Sequence, residues 1–226
     1  MNIGKIKSHI FSIVELDTNS LTSQTTIVAQ VGSAGRYRGV VTESDNTTKE
    51  FSLEVLPSPA EPSVAIDLSA VWSGPPNFSV VVKGFIVLYV KDGPGGQTVK
   101  VFNDLGSLFD NSALTVDNSV VLKLFRPGIH QVSDTTGGGI CTVKVEYPTP
   151  PTPPATNFVD IKVIQVSPGT TKMQPDAVTI SPLQPLVFHT QDKTRLITEL
   201  LALTDREGNI LKTTLTEKGQ KLKIKI

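Results

Sequence analysis

The sequence predicts an all-β protein built from two or three small antiparallel β-sandwich modules. Three observations carry that expectation. Val, Ile and Thr dominate the apolar and small polar positions, and side chains branched at Cβ suit a pleated surface better than a helix. The apolar runs are short, about four to eight residues, and alternate with clusters of Gly, Pro, Asn and Asp, the residues that accept the backbone angles of tight turns. Successive runs recur at roughly eight to twelve residues, the rhythm of strands in a sandwich.

Taken in order, strands are predicted at 9–16, 25–31, 36–42, 50–56, 63–71, 78–82, 85–91, 98–102, 120–125, 129–133 and 140–147. Turn residues separate them, among them Lys83-Gly84, Asp92-Gly93, Pro127-Gly128 and the run Gly137-Gly138-Gly139. Further on, Val159, Ile161 and Val163 alternate as one strand, and Leu222, Ile224 and Ile226 as the last. Gly-centred turns at Glu207-Gly208-Asn209 and Lys218-Gly219-Gln220 would fold the end of the chain into an antiparallel meander. Residues 196–203 carry apolar side chains at 196, 197, 200, 201 and 203, which suit either a strand or a short helix.

Prolines occupy five of the seven positions from 148 to 154, PTPPTPP. Each fixes φ and lacks a backbone donor, so the stretch reads as an extended spacer, with docking to an aromatic groove as the lesser alternative. A linker is therefore expected at 148–156, between an N-terminal β region, 1–147, and a C-terminal β domain, 157–226. A weaker break, LPSPAEP, either makes 57–62 a boundary before a part covering about 63–147 or is a loop within one sheet.

The chain of 226 residues is long enough to bury a core without disulfides or metals. Lys plus Arg equals Asp plus Glu at 21 each, so no positive surplus drives binding to a phosphate backbone, and no nucleic-acid partner is expected. With only Cys141 present, neither an intramolecular disulfide nor a multi-thiolate metal site can form. The lysines and the early Glu15 and Asp17 do not suit a secretory leader, and no run approaches the ~20 apolar residues of a membrane span.

Residues 78–147 resemble the cupredoxins, β sandwiches that hold copper. The features are the Lys83-Gly84 turn before the apolar strand FIVLYV, a Gly-rich loop, and Pro127-Gly128 leading through HQVSD to a closing TVKVEY strand. An immunoglobulin-like sandwich would share most of them. A copper site of that kind needs two imidazoles, a thiolate and a weak thioether. The resemblance places the ligand cysteine seven residues after Pro127, where Asp134 stands, and no histidine or methionine follows in TTGGGICTVKV. The loop DGPGGQTVKVFND lacks the other histidine, so no metal and no cofactor are expected, and Cys141 is read as a small buried hydrophobe. A fainter echo over 173–190, with a Pro-containing turn before a buried strand, implies two related modules.

No catalytic residue is predicted. His9, His130 and His189 are far apart in sequence, each inside a strand-like run, and read as packed or surface histidines. The triple glycine leads into a strand and not a helix, so a hairpin is expected instead of a phosphate cradle. Asp92, Asp104, Asp110 and Asp117 fit no calcium loop and read as turn formers. Asn46-Thr47-Thr48 and Asn77-Phe78-Ser79 match the glycosylation acceptor pattern, which matters only in a secreted chain. Arg36, Tyr37 and Arg38, flanked by Gly35 and Gly39, form a basic and aromatic tip that is the candidate partner contact.

These features point away from an enzyme and toward a structural or assembly protein that self-associates or joins a larger protein assembly, most concretely a virion component such as a capsid, decoration, spike or tail protein. Such a protein would reside in the virion, or in the cytoplasm during assembly. The alternative is a copper-free binding module related to cupredoxins, at the cell surface or in the periplasm.

Overall fold

The computed structural model describes residues 15–58, 61–93, 95–116, 118–147, 161–191 and 193–211. The part of the first expected strand before residue 15, the 148–156 linker, the Lys218-Gly219-Gln220 turn and the terminal strand at Leu222 to Ile226 lie outside the described residues. Within them the chain is all-β, with sixteen strands and no helix.

After β1 (Glu15–Asp17), a first unit runs through β2 (Thr25–Gln30), β3 (Gly35–Thr42), β4 (Thr48–Leu56), β5 (Ser63–Asp67), β6 (Asn77–Val81), β7 (Phe85–Tyr89), β8 (Thr98–Asn103) and β9 (Gly106–Asp110). A second comprises β10 (Asn118–Lys123), β11 (Gly128–Asp134), β12 (Ile140–Val145), β13 (Lys162–Gln165), β14 (Ala177–Ile180), β15 (Pro185–His189) and β16 (Leu196–Leu203). One five-stranded sheet has the order β6-β4-β3-β8-β9, another the order β1-β16-β11-β12-β14, and a six-stranded sheet runs β13-β15-β10-β2-β7-β5.

The two units repeat one topology. In the first, β4 pairs parallel with β6 and β5 parallel with β7; in the second, β12 pairs parallel with β14 and β13 with β15. Local details repeat as well. Gly35 and Gly128 open β3 and β11 with φ of 152° and 153°, and Lys83 and Leu183 take φ of 65° and 69° in the equivalent turns before β7 and β15. Each of those turns is tied back by its own amide, Lys83 N–H to the Val31 carbonyl at 2.7 Å and Leu183 N–H to the Leu124 carbonyl at 2.9 Å. Within 173–190, β14-turn-β15 repeats β6-turn-β7.

Three expectations change. The modules are mixed and not purely antiparallel, because chain segments such as β4-β5-β6 cross to the opposite sheet and return beside their starting strand. The 57–62 break belongs to that crossover and separates no domain, as β4 and β6 are neighbours. The strands after the proline-rich stretch pair with β10, β11 and β12, so 161–211 complete sheets begun before it instead of forming a separate C-terminal domain. A proline run stiffens its own backbone but does not decide where the chain goes afterwards.

The units are joined twice. Along the six-stranded sheet, β2 pairs antiparallel with β10 from Thr25↔Leu122 to Ala29↔Asn118. At the other layer, β1 leaves the first unit and adds to the edge of β16, Leu16 opposite Thr198. It fills the place that β9 takes beside β8 in the first unit. Residues 196–203 are a strand because β11 and β1 hydrogen-bond its two edges, which settles the choice between strand and helix.

Burial parity fixes the layering. Ile27 and Val120 face each other in register and both are fully buried, so the two five-stranded sheets cover the same face of the six-stranded sheet. The core between the layers includes Phe51, Leu53, Leu88, Leu122, Ile164 and Phe188. Each such side chain contributes about 1.5–3 kcal/mol on leaving water. Phe51 meets Phe78 and Trp72 edge to face, with ring centres 5.7 and 6.0 Å apart.

Candidate interaction surface

The Arg36-Tyr37-Arg38 segment lies inside β3 and is no turn tip. Side chains alternate across a strand, so the middle residue must point opposite to its neighbours. Tyr37 is accordingly buried and donates its hydroxyl to the Ser33 carbonyl at 3.1 Å, while Arg36 and Arg38 face solvent. His130 repeats the arrangement in the second unit, its Nε2 2.9 Å from the Arg126 carbonyl. Only the two arginines remain available to a partner.

Each arginine is matched on β4. Arg36 Nε donates to Glu54 at 3.2 Å, and Arg38 forks onto both oxygens of Glu50. The Arg38 hydrogen bond and charge hold the Glu50 carboxyl below the usual range. Both pairs are open to water, where such pairs contribute about 0–1 kcal/mol, so they order the face more than they stabilise the fold. Beside Arg36 lies a groove of about 550 Å³ bordered by Ser52, Glu54, Asn77 and Ser79, polar groups projecting from β4 and β6. On the other side Arg38, Phe102 and Asn103 line a hollow of about 330 Å³. Asn77 of the second acceptor-like tripeptide is exposed at this edge, and Asn46 of the first sits in the β3–β4 turn with φ of 66°.

The other candidates disperse. His130 is buried, and burial pushes its imidazole below the usual range. His189 stands on the outer surface, its Nδ1 2.7 Å from the Ser119 hydroxyl, and His9 lies outside the described residues. Cys141 is buried in β12, and desolvation, then the charge of Asp176, raise its thiol to about 11, the state of an inert packing residue.

The triple glycine forms the β11–β12 hairpin. Asp134, the residue at the expected ligand position, accepts amide hydrogens from Thr136 and Gly137, each at 3.0 Å. A Cβ on Gly137 would come within 2.4 Å of that carboxylate, so a larger residue there would have to displace it from these bonds. Asp110 caps its turn through Ser112 and pairs with Lys100 at 3.0 Å. Among the described residues no three His, Cys, Asp or Glu side chains gather as metal ligands. No helix among them is long and apolar enough to cross a membrane.

A junction missed by the sequence reading lies where β1 meets both units. Asp17 is held by Arg195 through two hydrogen bonds, at 3.1 and 2.5 Å. Burial alone would raise the Asp17 carboxyl, but Arg195 and the Asn19 amide hold it below the usual range. Thr18 exchanges bonds with Leu196, amide to carbonyl at 3.0 Å and hydroxyl from amide at 3.1 Å. Asn111, fully buried, accepts from the Val99 amide at 2.8 Å and donates to the Thr18 carbonyl at 2.9 Å. Residues separated widely in sequence meet here, which local pattern cannot reveal.

The chain matches no protein-family model, no curated protein and no solved structure at a significant level.

Proposed function

We propose that this chain is a non-enzymatic structural protein that works by assembling with itself or with other proteins, most concretely as a capsid, decoration, spike or tail component of a virion. The observation that supports this is the double joining of the repeated units, through β2–β10 pairing and through β1 on β16. That construction couples the units into a body with broad outward sheet faces, which suits a component whose surfaces are its product. The test is mass and morphology. Light scattering and negative-stain microscopy should find defined oligomers, or the purified protein should bind saturably to particles encoded alongside it. A monomer that binds no such particle overturns the reading.

A copper-free binding module at the cell surface or in the periplasm is the second reading, favoured by the groove beside Arg36 with its Ser52, Asn77 and Ser79 hydroxyl and amide groups. A soluble oligosaccharide that shifts amide resonances of Ser52 and Ser79, with the shifts lost in Arg36→Ala, would support it. The absence of such shifts across a panel of neutral and acidic sugars would count against it.

A further inference from the structure

We propose that the uncovered face of the six-stranded sheet is the docking surface for a second copy of this chain, which stacks on it sheet to sheet. This rests on the assembly reading and specifies its contact surface. Both five-stranded sheets lie on one side of the six-stranded sheet, so its other side has no covering layer among the described residues. One cross-strand row on that side reads Val163, Val187, Val121, Thr26, Tyr89 and Asp67, in register across all six strands. The next row reads Gln165, His189, Ser119, Val28, Val87 and Ala65, polar on the side of β13, β15 and β10 and apolar on that of β2, β7 and β5, and Phe85 and Ile161 flank the rows with 43% and 53% exposure.

The chemistry of this face differs from that of the others. The outer side of the first five-stranded sheet is crowded with Arg36, Arg38, Glu50, Glu54, Lys100 and Asp110. Across the six strands, the Asp and Lys side chains pointing outward among the described residues are Asp67, at the far edge, and Lys123, at a strand end. Asp67 is already occupied by the Ser69 hydroxyl and amide. Loss of charge in the middle of a patch, with apolar and aromatic groups in its place, distinguishes an interface core from ordinary surface.

A copy of the same chain is the occupant that fits. A two-fold contact requires a patch complementary to itself, and a row centred on Val187, Val121 and Thr26 can lie on an identical row where a row of like charges could not. Six strands at about 4.8 Å and five residues at about 3.3 Å give a face of roughly 29 by 17 Å. Two such faces stacked at about 10 Å bury on the order of 1,000 Å², the lower limit for a specific interface. The dimer should therefore be reversible and concentration-dependent.

Sedimentation velocity on the full chain from about 5 to about 500 µM brackets the affinities that so small an interface supports. The wild-type mass should climb from 24.3 kDa toward twice that value. Val121→Lys and, separately, Val187→Lys should raise the dissociation constant by about 100-fold or more, since each copy would bury an uncompensated ammonium. Far-UV dichroism and melting establish that each variant is folded, and Glu54→Lys on the opposite layer should dimerise like the wild type. A wild type that stays monomeric throughout the range overturns the proposal, whether another segment of the chain or a different protein covers the face. Association by folded Val121→Lys and Val187→Lys equal to the wild type also overturns it, while leaving the broader assembly reading intact.

Discussion

Replacing Asn111 by alanine tests whether β1 truly belongs to the body formed by the repeated units. The side chain is fully buried and serves two backbone groups at once, accepting from Val99 N–H at 2.8 Å and donating to the Thr18 carbonyl at 2.9 Å. Truncation leaves a buried donor and a buried acceptor without partners. Each orphan costs about 1–3 kcal/mol, so the expected loss is about 2–6 kcal/mol. For a chain of this size, 3 kcal/mol corresponds to a fall in melting temperature of roughly 6–12 °C.

Equilibrium urea unfolding gives the magnitude, and native-state hydrogen exchange gives the location. The Val99 amide should lose protection directly, and the Thr18 and Leu196 amides should lose it because they hold β1 on β16. Asn111→Asp should not rescue stability, because it keeps the acceptor but turns a carboxylate oxygen toward the Thr18 carbonyl. A loss below about 1 kcal/mol, with Val99 exchange unchanged, would refute the two-bond role.

Three further outcomes follow from single sites. Gly39→Ala should cost about 1–3 kcal/mol in urea unfolding and disturb near-ultraviolet dichroism, because the added Cβ would lie 2.1 Å from the Phe51 ring that packs across the strand pair. His130, held neutral by burial, lowers its proton affinity on folding, so stability should be full above about pH 6.5 and decline as pH falls through the window below it; His130→Gln should flatten that decline in melting curves recorded from pH 7.5 to 5. Cys141, buried and with its thiol raised to about 11, should resist a thiol reagent under native conditions and react stoichiometrically in urea; fast native labelling would contradict its packing role.

What the sequence disclosed was local. Alternation and β-branching placed β3, β4, β7, β11 and β12 within a residue or two, and the Gly208 turn is present with φ of 85° and Thr204 bridged to Ile210. One short strand escaped: β9, with its exposed Ser107 and partly buried Leu108, has no clean period. Beyond the β11–β12 hairpin, pairing was not legible. Period-two patterning says which side chains share a face, but the parallel crossovers that set β4 beside β6 and β12 beside β14 depend on where the chain returns in space. The placement of Arg36-Tyr37-Arg38 at a turn tip failed for a related reason, since flanking glycines suggested a tip although Gly39 is the open space that admits the Phe51 ring.

The repeat also explains why β1 matters more than its three residues suggest. In the first unit, β9 follows β8 through a short turn, so closing that edge requires ordering few additional residues. In the second unit, the edge of β16 is closed by a strand from the opposite end of the described chain, and holding it requires explicit bonds from Arg195, Leu196 and Asn111. Those bonds make the junction sensitive to acid. The depressed Asp17 carboxyl contributes stability that is complete above its unfolded pKa near 3.9 and is lost as pH falls through its lower folded value. Acidification should therefore weaken β1 on β16, and also β9 on β8, where the depressed Asp110 carboxyl pairs with Lys100. Hydrogen exchange from pH 5 to 3, compared with intrinsic rates, should show Thr18 and Leu196 losing protection in the wild type, and in Asp17→Asn that pH-dependent loss should disappear while the loss at the Asp110–Lys100 edge remains. A pH-dependent loss at Thr18 and Leu196 that persists in Asp17→Asn would mean that the ion pair does not hold the strand.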